Sequence, residues 1–308
     1  QDFNAMQPFS HVDTPWSRRL RRGERPGRAE LREHLLEVHR QHPGFTEACA
    51  ARCRDASVRN SYEWLAEVVD PAEHRTLLDL ACGSGVLTAL CHERFGGHVA
   101  LIGVDMSADE LALARGRMPD PAVTLHCGMA QEMGFIADHS IDVVICHWAL
   151  TLMDPVEPVL AEVRRVLRPN GILAAIIDGE LSTAPGYDEL HHLIYGWVQR
   201  EYPDYGEIEL GDQRVRTTAA LTELVADGFP GADIRIEAGV VEQLGAPDAL
   251  AREAAAFFYA AFLLSPPSRA RMLREVAALF ARFAREGRDG LGRFSMPINR
   301  LVVRLPQA

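Results

Sequence analysis

The sequence predicts an α/β fold in which a mostly parallel seven-stranded sheet carries a helical cap from the N-terminus and from C-terminal insertions. Between residues 77 and 178, short apolar runs alternate with helix-like segments. This alternation is typical of a parallel sheet with helices on both faces and right-handed crossovers. Outside this region the apolar spacing is mainly helical. We therefore divide the chain into an N-terminal helical cap segment (1–70), an α/β core (71–180), and cap insertions with the last strands (181–308).

Composition narrows the class of partner. The chain has 308 residues, is 47% hydrophobic and carries a formal net charge of −11. An acidic surface repels nucleic acid and anionic membranes, so we expect neither as a partner and favour a small molecule. No run approaches the roughly twenty apolar residues of a membrane span. Six cysteines without a Cys-x-x-Cys pair suit reduced thiols, and we expect a cytoplasmic protein whose oligomeric state stays open, a homodimer included.

The elements follow in order along the chain. Residues 29–45 and 48–69 show helical spacing. Five apolar runs then predict the parallel strands, and Pro169, Asn170 and Gly171 predict a sharp turn before the fifth. The five runs are TLLDLA, VALIGVD, VTLHC, IDVVIC and GILAAIID.

The region after residue 180 predicts the remaining elements. A helix is expected in DELHHLIYGWVQRE, a strand in ADIRIEAGVV, and two helices over residues 248–264 and 268–286. The alternating segment MPINRLVVRL predicts a last strand, which could complete the sheet as an antiparallel edge.

The segment LLDLACGSG, residues 77–85, indicates a ligand site. A strand that enters a helix through Gly83 and Gly85 brings bare backbone close to a ligand at the carboxyl edge of the sheet. Asp105 ends the second strand, where a carboxylate can accept both hydroxyls of a ribose. A dinucleotide would need a third glycine, where Thr88 stands, and its pyrophosphate would be repelled by Asp79. These features favour a zwitterionic cofactor.

The motifs LLDLACGSG, VDMS, CGMAQEMGF, IDVVICHWAL and LAEVRRVLRPNGILAAI resemble the successive motifs of class I S-adenosylmethionine-dependent methyltransferases. The resemblance covers about residues 75–180 and implies a Rossmann-like core, the cofactor S-adenosyl-L-methionine and methyl transfer. It places Asp79, Gly83 and Gly85 at the methionine part, Asp105 at the ribose and Met106 at the adenine. The full cofactor set comprises Asp79, Ala81, Gly83, Gly85, Asp105, Met106, Met129, Ala130 and Cys146.

One motif departs from the family pattern. Many relatives have an acid after the glycine of the third motif, where it accepts from the adenine amino group. Here Gly128 is followed by Met129. The backbone of Met129 and Ala130, or the side chain of Gln131, would have to supply that contact.

The acceptor side is expected at the tip of the fourth strand, CHWALTLMDP. Methyl transfer is an in-line displacement, so position supplies much of the catalysis. His147 is our candidate general base, because an imidazole pKa of about 6.5 suits that work; the alternative is a histidine that caps the strand. Trp148 could line the substrate or pack in the core. The substrate candidates are Tyr62, His147, Trp148, His191 and His192.

A divalent metal is a further possibility. His147 could bind one together with a carboxylate such as Asp178, Glu180 or Asp188 and one histidine of a predicted helix. Adjacent helical residues diverge by about 100°, so at most one of His191 and His192 can join, and the metal candidates are His147 and His192.

Arginines are the other candidates on the acceptor side. Arg59, Arg214 and Arg216 could grip a substrate carboxylate through two hydrogen bonds. With such an arginine and a metal, C-methylation of an α-keto acid becomes attractive, because the metal would stabilise the enolate.

We therefore predict a cytoplasmic enzyme that methylates a small metabolite or a natural-product intermediate in biosynthesis. An O- or N-methyltransferase without metal is an alternative. A nicotinamide-dependent reductase is another, disfavoured by the missing third glycine, and a nonenzymatic binding protein with the same core is a third.

Overall fold

The computed structural model describes residues 11–206, 210–287 and 289–308, so the first ten residues of the predicted cap segment lie outside it. The helices of the described residues are α1 Pro15–Arg21, α2 Arg28–Gln41, α3 Phe45–Arg52, α4 Ser61–Ala66, α5 Val86–Phe95, α6 Ala108–Arg117, α7 Glu157–Val166, α8 Tyr187–Glu201, α9 Thr218–Gly228, α10 Pro247–Ala255 and α11 Pro266–Glu286. The strands are β1 Thr76–Leu80, β2 Ala100–Asp105, β3 Thr124–Cys127, β4 Ile141–His147, β5 Leu167–Asp178, β6 Asp233–Gly245 and β7 Gly292–Arg304.

The seven strands form one sheet in the order β3-β2-β1-β4-β5-β7-β6. Strands β1 to β5 pair in parallel, and β7 pairs antiparallel with β5. The predicted fold class is therefore confirmed. Because parallel strands end at one edge, the order puts the carboxyl ends of β1, β2 and β4 side by side.

The central strands are buried on both faces. In β4, residues 143–146 are all buried, and in β5 residues 171–177 are buried without interruption. A strand covered by helices on both faces needs such continuous apolar runs. Each buried aliphatic side chain contributes about 1.5–3 kcal/mol relative to an exposed one.

Two sequence expectations for the sheet need correction. The predicted turn at Pro169 and Gly171 lies inside β5, where the register against β4 shifts and Asn170 has φ 62°. The extra residues are absorbed as a bulge, so the strand continues. The last strand is antiparallel as predicted, but it lies between β5 and β6, and β6 forms the edge.

Two helix predictions were too long. Helical spacing over residues 48–69 is interrupted between α3 and α4, because the Asp55 carboxylate accepts the backbone N–H groups of Ser57 and Arg59 and forms a turn. The predicted helix over 248–264 ends with α10 at Ala255, and residues 259–263 form a tight 3₁₀ turn in which four of five residues are buried.

The chain folds into two compact units, each built from several separate segments. Unit 2 contains Ala50–Pro185, Glu209–Glu242 and Ser295–Ala308 and holds most of the sheet. Unit 1 contains Gln1–Cys49, Gly186–Ile208 and Gln243–Phe294, in so far as these residues are described. The boundaries at residues 70 and 180 stay a prediction.

Unit 1 is mainly helical and has its own buried aromatic core. Phe45 and Phe262 pack edge to face with ring centroids 4.7 Å apart. The Trp197 indole nitrogen donates to Glu275 at 2.9 Å, which ties α8 to α11. Tyr202 is fully buried, and its hydroxyl donates to the carbonyl of Leu263 at 3.0 Å. Buried Tyr and Trp side chains need such polar partners.

All six cysteines are free thiols, and five of them are buried, Cys127 being the exposed one. Among the described residues, no helix is both long and apolar enough to cross a membrane.

Gly85 is required by close packing and by its conformation. Its φ is +81°, and an added Cβ would lie 2.8 Å from the Ala114 Cβ and from the Met118 Cε. We expect Gly85→Ala to lower the free energy of unfolding by about 1–3 kcal/mol in urea titrations. Gly116→Ala is the control: it lies in α6 with nothing within 4 Å of the added Cβ and should gain up to about 1 kcal/mol. Equal effects at the two glycines would contradict this account.

Candidate functional site

The turn after β1 alternates left-handed residues. Ala81, Gly83 and Gly85 have φ values of 57°, 55° and 81°. These left-handed residues turn the backbone sharply, and the N–H groups of Gly83 and Gly85 are bonded within the protein, to the Asp105 carboxylate and the Cys82 carbonyl. A left-handed residue with a Cβ costs about 1–2 kcal/mol, so Ala81 is held there by its surroundings. The Cys82 N–H, which donates to the Val104 carbonyl at 3.0 Å, is one of these restraints.

Asp105 joins this turn to the next motif. Its Oδ2 accepts the N–H of Gly83 at 2.9 Å, and its Oδ1 accepts the N–H of Ser107 at 2.8 Å. The Asp105 carbonyl accepts the N–H of Gly128 at 2.9 Å. One residue therefore fixes the loops that follow β1, β2 and β3.

Thr88 occupies the place of the third glycine and has a function of its own. It is fully buried, and its hydroxyl donates to Asp79 Oδ2 at 2.5 Å. Asp79 is itself only 1% exposed. Burial, together with the nearby Asp79 charge, raises the pKa of the Cys146 thiol to about 12. Cys146 is therefore a protonated core residue whose side chain is fully buried.

Aromatic rings lie beside the third motif. The Phe135 ring stacks on His126 with centroids 4.3 Å apart and lies 3.2 Å from where a Cβ on Gly128 would be. Phe135 is 43% exposed. Met129 and Ala130 are half-buried. The sequence interpretation missed Phe135, although it closes the motif CGMAQEMGF.

His147 ends β4 and contacts α4. Its Nε2 is 2.7 Å from Ser61 Oγ, and its ring stacks on Tyr62 with centroids 3.8 Å apart at 17°. Burial lowers the pKa of His147 to about 3. The imidazole is therefore neutral at pH 7, able to accept a proton but weakly basic. Ser61 was not among the sequence candidates.

Trp148 connects the ends of β4 and β5. Its backbone N–H donates to the Ile176 carbonyl at 2.8 Å, and its indole Nε1 donates to Asp178 Oδ1 at 2.6 Å. The other carboxylate oxygen of Asp178 accepts from Arg216 Nη1 at 2.8 Å. Trp148 thus has a polar partner and is more than core packing.

The other predicted histidines lie in unit 1, on α8. The His191 ring stacks on Tyr195 with centroids 4.0 Å apart. The side chain of His192 is 75% exposed, and its Nδ1 contacts Asp188 of the same helix at 2.9 Å. Across the residues that the structure describes, no three His, Cys, Asp or Glu side chains come together as metal ligands. The side chains present therefore do not assemble the proposed metal site.

The three candidate arginines differ in their partners. Arg59 binds Asp55 and Glu67, and Arg214 binds Asp212 and Glu157. Arg216 binds Asp178 through a single nitrogen. Among the residues that the structure describes, Arg216 is therefore the candidate arginine with unused N–H donors.

Comparison with known proteins identifies the core. A sequence profile of the family described as "Methyltransferase domain" matches residues 78–175. This domain belongs to the class I S-adenosylmethionine-dependent methyltransferases. The predicted resemblance is confirmed, and so is S-adenosyl-L-methionine as the cofactor of the domain.

Curated relatives of the methyltransferase domain match part of the chain. A demethylmenaquinone methyltransferase from Symbiobacterium thermophilum is 34% identical over 105 residues, 33% of this chain and 41% of that protein. One from Listeria welshimeri is 27% identical over 165 residues, 50% of this chain and 69% of that protein. The match therefore spans less than half of the Symbiobacterium protein.

Solved structures share the fold. A putative methyltransferase from an antibiotic biosynthesis pathway of Anabaena variabilis has a TM-score of 0.57 at 15% identity, covering 83% of this chain and 100% of that chain. A putative methyltransferase from Bacillus halodurans has a TM-score of 0.53 at 15% identity, covering 80% and 99%. At this identity the likeness supports the architecture alone.

Removal of the Asp105 carboxylate should weaken cofactor binding. We expect Asp105→Ala to lower the affinity for S-adenosylhomocysteine more than tenfold in calorimetric titration, because the glycine turn loses its anchor and the ribose loses an acceptor. Asp109→Asn, an exposed position in the first turn of α6, is the control for the lost charge and should change the affinity less than twofold. Equal affinities for Asp105→Ala and wild type would refute the assignment.

The lowered pKa of His147 makes stability depend on pH. The pKa is about 6.5 in an unfolded chain and about 3 in the folded protein. The unfolded chain therefore binds the proton first, so the stability is complete above pH about 6.5 and declines as pH falls toward 3. Between pH 7.5 and 5, urea titrations should show wild type losing about 1–2 kcal/mol more than His147→Asn. The exposed control His98→Asn should show the same pH dependence of stability as wild type. If His147→Asn shows it too, the lowered pKa of His147 is wrong.

Proposed function

We propose that the chain transfers a methyl group from S-adenosyl-L-methionine to a small-molecule acceptor. The observation that carries the proposal is the glycine turn whose N–H group is held by Asp105, within a domain that the methyltransferase profile matches. The curated relatives are named demethylmenaquinone methyltransferases. That name supports a small-molecule acceptor and favours a conjugated ring.

The residues at the turn fit the cofactor. A carboxylate has about four acceptor sites, so Asp105 can accept ribose hydroxyls in addition to the N–H groups of Gly83 and Ser107. The left-handed backbone at Ala81, Gly83 and Gly85 leaves the main chain uncovered at the two glycines, where the methionine part can approach it closely. Asp79 lies behind this turn, and its negative charge favours the ammonium group even though Thr88 binds one of its oxygens.

The adenine is assigned to the loops after β2 and β3. Met106 and Met129 are half-buried and offer polarisable side chains to a ring. Ala130 lies next to them, and the exposed face of Phe135 adds a flat apolar surface. The backbone of Met129 and Ala130 would supply the polar contact for which the usual acid is missing.

The bound cofactor supplies an electrophilic methyl group on a positively charged sulfur. The protein's own part is to place the acceptor in line and to hold its proton. The His147 ring at the end of β4 lies beside Trp148 and stacks on Tyr62, which is 4% exposed and supports the imidazole. We assign His147 and Trp148 to the acceptor and Tyr62 to the positioning of His147.

C-methylation of an α-keto acid receives less support than a conjugated acceptor. That hypothesis needed a metal at His147, but this imidazole is bonded to Ser61 and stacked on Tyr62. A serine hydroxyl and an aromatic ring do not fit the ligand set of a metal, so the proposed reaction uses none. A ring system is the acceptor that the aromatic side chains favour.

The test is methyl transfer from labelled cofactor to three defined acceptors. We expect the full chain to methylate short-chain demethylmenaquinone reduced to its hydroquinone at least tenfold faster than phenylpyruvate or ethanolamine. The control is Asp105→Ala, which should lose transfer together with cofactor binding. If wild type binds S-adenosylhomocysteine but transfers no label to these acceptors or to a metabolite extract, the enzymatic proposal falls and the nonenzymatic binder takes its place. Fluorescence quenching with NADH would instead favour the reductase.

A further inference from the structure

The carboxylate of Asp178 is held in a fixed orientation at the carboxyl end of β5. One oxygen accepts the indole N–H of Trp148, and the other accepts an N–H of Arg216. Its side chain is 28% exposed. A carboxylate has about four acceptor sites, so Asp178 can receive a further donor without losing either bond.

The first restraint on Asp178 is a strained residue. Trp148 has φ 54°, a region that bulky residues rarely adopt. Two hydrogen bonds to β5 hold it there, one from its backbone N–H to Ile176 and one from its indole. Conformational strain of this kind is common at functional sites, where the surrounding structure compensates for it.

The second restraint on Asp178 comes from the segment that carries Arg216, which is hydrogen-bonded to the loop after β4. Gly211 lies so close to Thr151 that an added Cβ would be 1.5 Å from the Thr151 carbonyl oxygen. The next residue, Asp212, donates its N–H to that carbonyl at 2.9 Å. This contact fixes the 3₁₀ turn Gln213–Arg216 that carries Arg216 to Asp178.

The guanidinium of Arg216 can bind more than Asp178. It has five N–H donors, and within the described residues only its Nη1 has a hydrogen-bond partner. The ion pair is neutral overall and offers an acceptor and donors side by side. A substrate carboxylate would be repelled by Asp178, whereas a hydroxyl group can donate to Asp178 and accept from Arg216.

His147 is poorly suited to be the base in this site. Its Nε2 is bonded to Ser61, and burial lowers its pKa to about 3. A proton taken by the imidazole would create a buried positive charge, whereas a proton taken by Asp178 moves the negative charge to the acceptor oxygen beside Arg216 and creates no new charge. The imidazole therefore acts as a neutral ring that positions the acceptor together with Tyr62.

We propose that Asp178 is the catalytic residue that takes the proton of a conjugated hydroxyl group on the acceptor, and that Arg216 and Trp148 are positioning residues. This inference rests on the proposed methyl transfer and names its acceptor class. A phenol has a pKa of about 10, within reach of a base in a site that stabilises the oxyanion, whereas an alkyl alcohol is a far weaker acid.

Atoms and charges balance in this step. The O–H bond of the acceptor breaks and its proton passes to an oxygen of Asp178. The electron pair left behind forms the bond to the methyl carbon, directly from oxygen or through the ring carbon conjugated with it. In the second case the ring proton is later lost to water, and Asp178 returns its proton to the oxygen, which restores the hydroxyl. The pair of the broken sulfur–carbon bond stays on sulfur, and Arg216 stabilises the oxyanion while it lasts.

The experiment compares Asp178→Asn with Glu180→Gln in the full chain. Glu180 is an exposed carboxylate at the same edge and controls for the lost charge. The probe acceptor is 1,4-naphthalenediol under anaerobic conditions. For Asp178→Asn we expect S-adenosylhomocysteine affinity within threefold of wild type and a kcat at least 100-fold lower; for Glu180→Gln both values should stay within twofold.

Further variants separate positioning from folding. Trp148→Phe keeps the ring but loses the N–H, and we expect a tenfold lower kcat at unchanged cofactor affinity. Arg216→Gln should raise KM for the diol at least fivefold. His147→Asn should keep at least a tenth of the wild-type kcat. If Asp178→Asn also loses cofactor binding, the kcat of Trp148→Phe at unchanged cofactor affinity decides whether the inference holds.

Each contrary result has a distinct meaning. A kcat for Asp178→Asn above a third of wild type overturns the inference and leaves the methyltransferase proposal intact. If His147→Asn or Glu180→Gln loses kcat and Asp178→Asn does not, the inference is also wrong, and the variant that loses activity identifies the base. If wild type methylates ethanolamine but no hydroxylated ring, the acceptor class is wrong. If wild type methylates nothing, the proposed function fails and the inference fails with it.

Discussion

The hydrogen bonds of Asp105 are the constraint on which the ligand edge depends. Its carboxylate holds the N–H groups of Gly83 and Ser107, and its carbonyl holds that of Gly128. One residue therefore positions the loops that follow β1, β2 and β3 relative to one another. Such preorganisation reduces the entropy that binding would otherwise have to overcome. The strands supply the rigid base, since β1 and β2 pair in register from Thr76 to Leu80.

Most of the sheet could be predicted because its strands are buried on both faces. Continuous apolar runs broken by glycine and proline indicate parallel strands regardless of partner. The apolar pattern of a strand does not indicate which strands it pairs with. The sequence therefore predicted β7 at the edge of the sheet, whereas it lies between β5 and β6. Helix ends were predicted less well, because side-chain hydrogen bonds such as those of Asp55 override apolar spacing. The uniformly apolar run before Ser265 has no periodicity by which a 3₁₀ turn could be told from a helix.

Residues of the candidate site could be predicted where they stand at the end of a predicted strand. Asp79, Asp105, His147 and Trp148 are all such residues. The relations between side chains were not predictable, since Ser61 and His147 are 86 positions apart, and Asp178 and Arg216 are 38 apart. Thr88 shows the same limit: as a missing glycine it argued against one cofactor, but its hydroxyl bond to Asp79 requires the fold to be seen.

The position of β7 also orders the assembly of the sheet. β6 precedes β7 in the chain, with α10 and α11 between them, yet β7 separates β6 from β5. During synthesis β6 therefore leaves the ribosome with no strand to pair with, while β5 keeps one side open. Neither strand can complete its pairing until β7 is made and inserts between them. Non-local pairing of this kind slows folding and leaves strand edges exposed to aggregation. The strands β1 to β5 can thus pair before either of the last two strands joins the sheet.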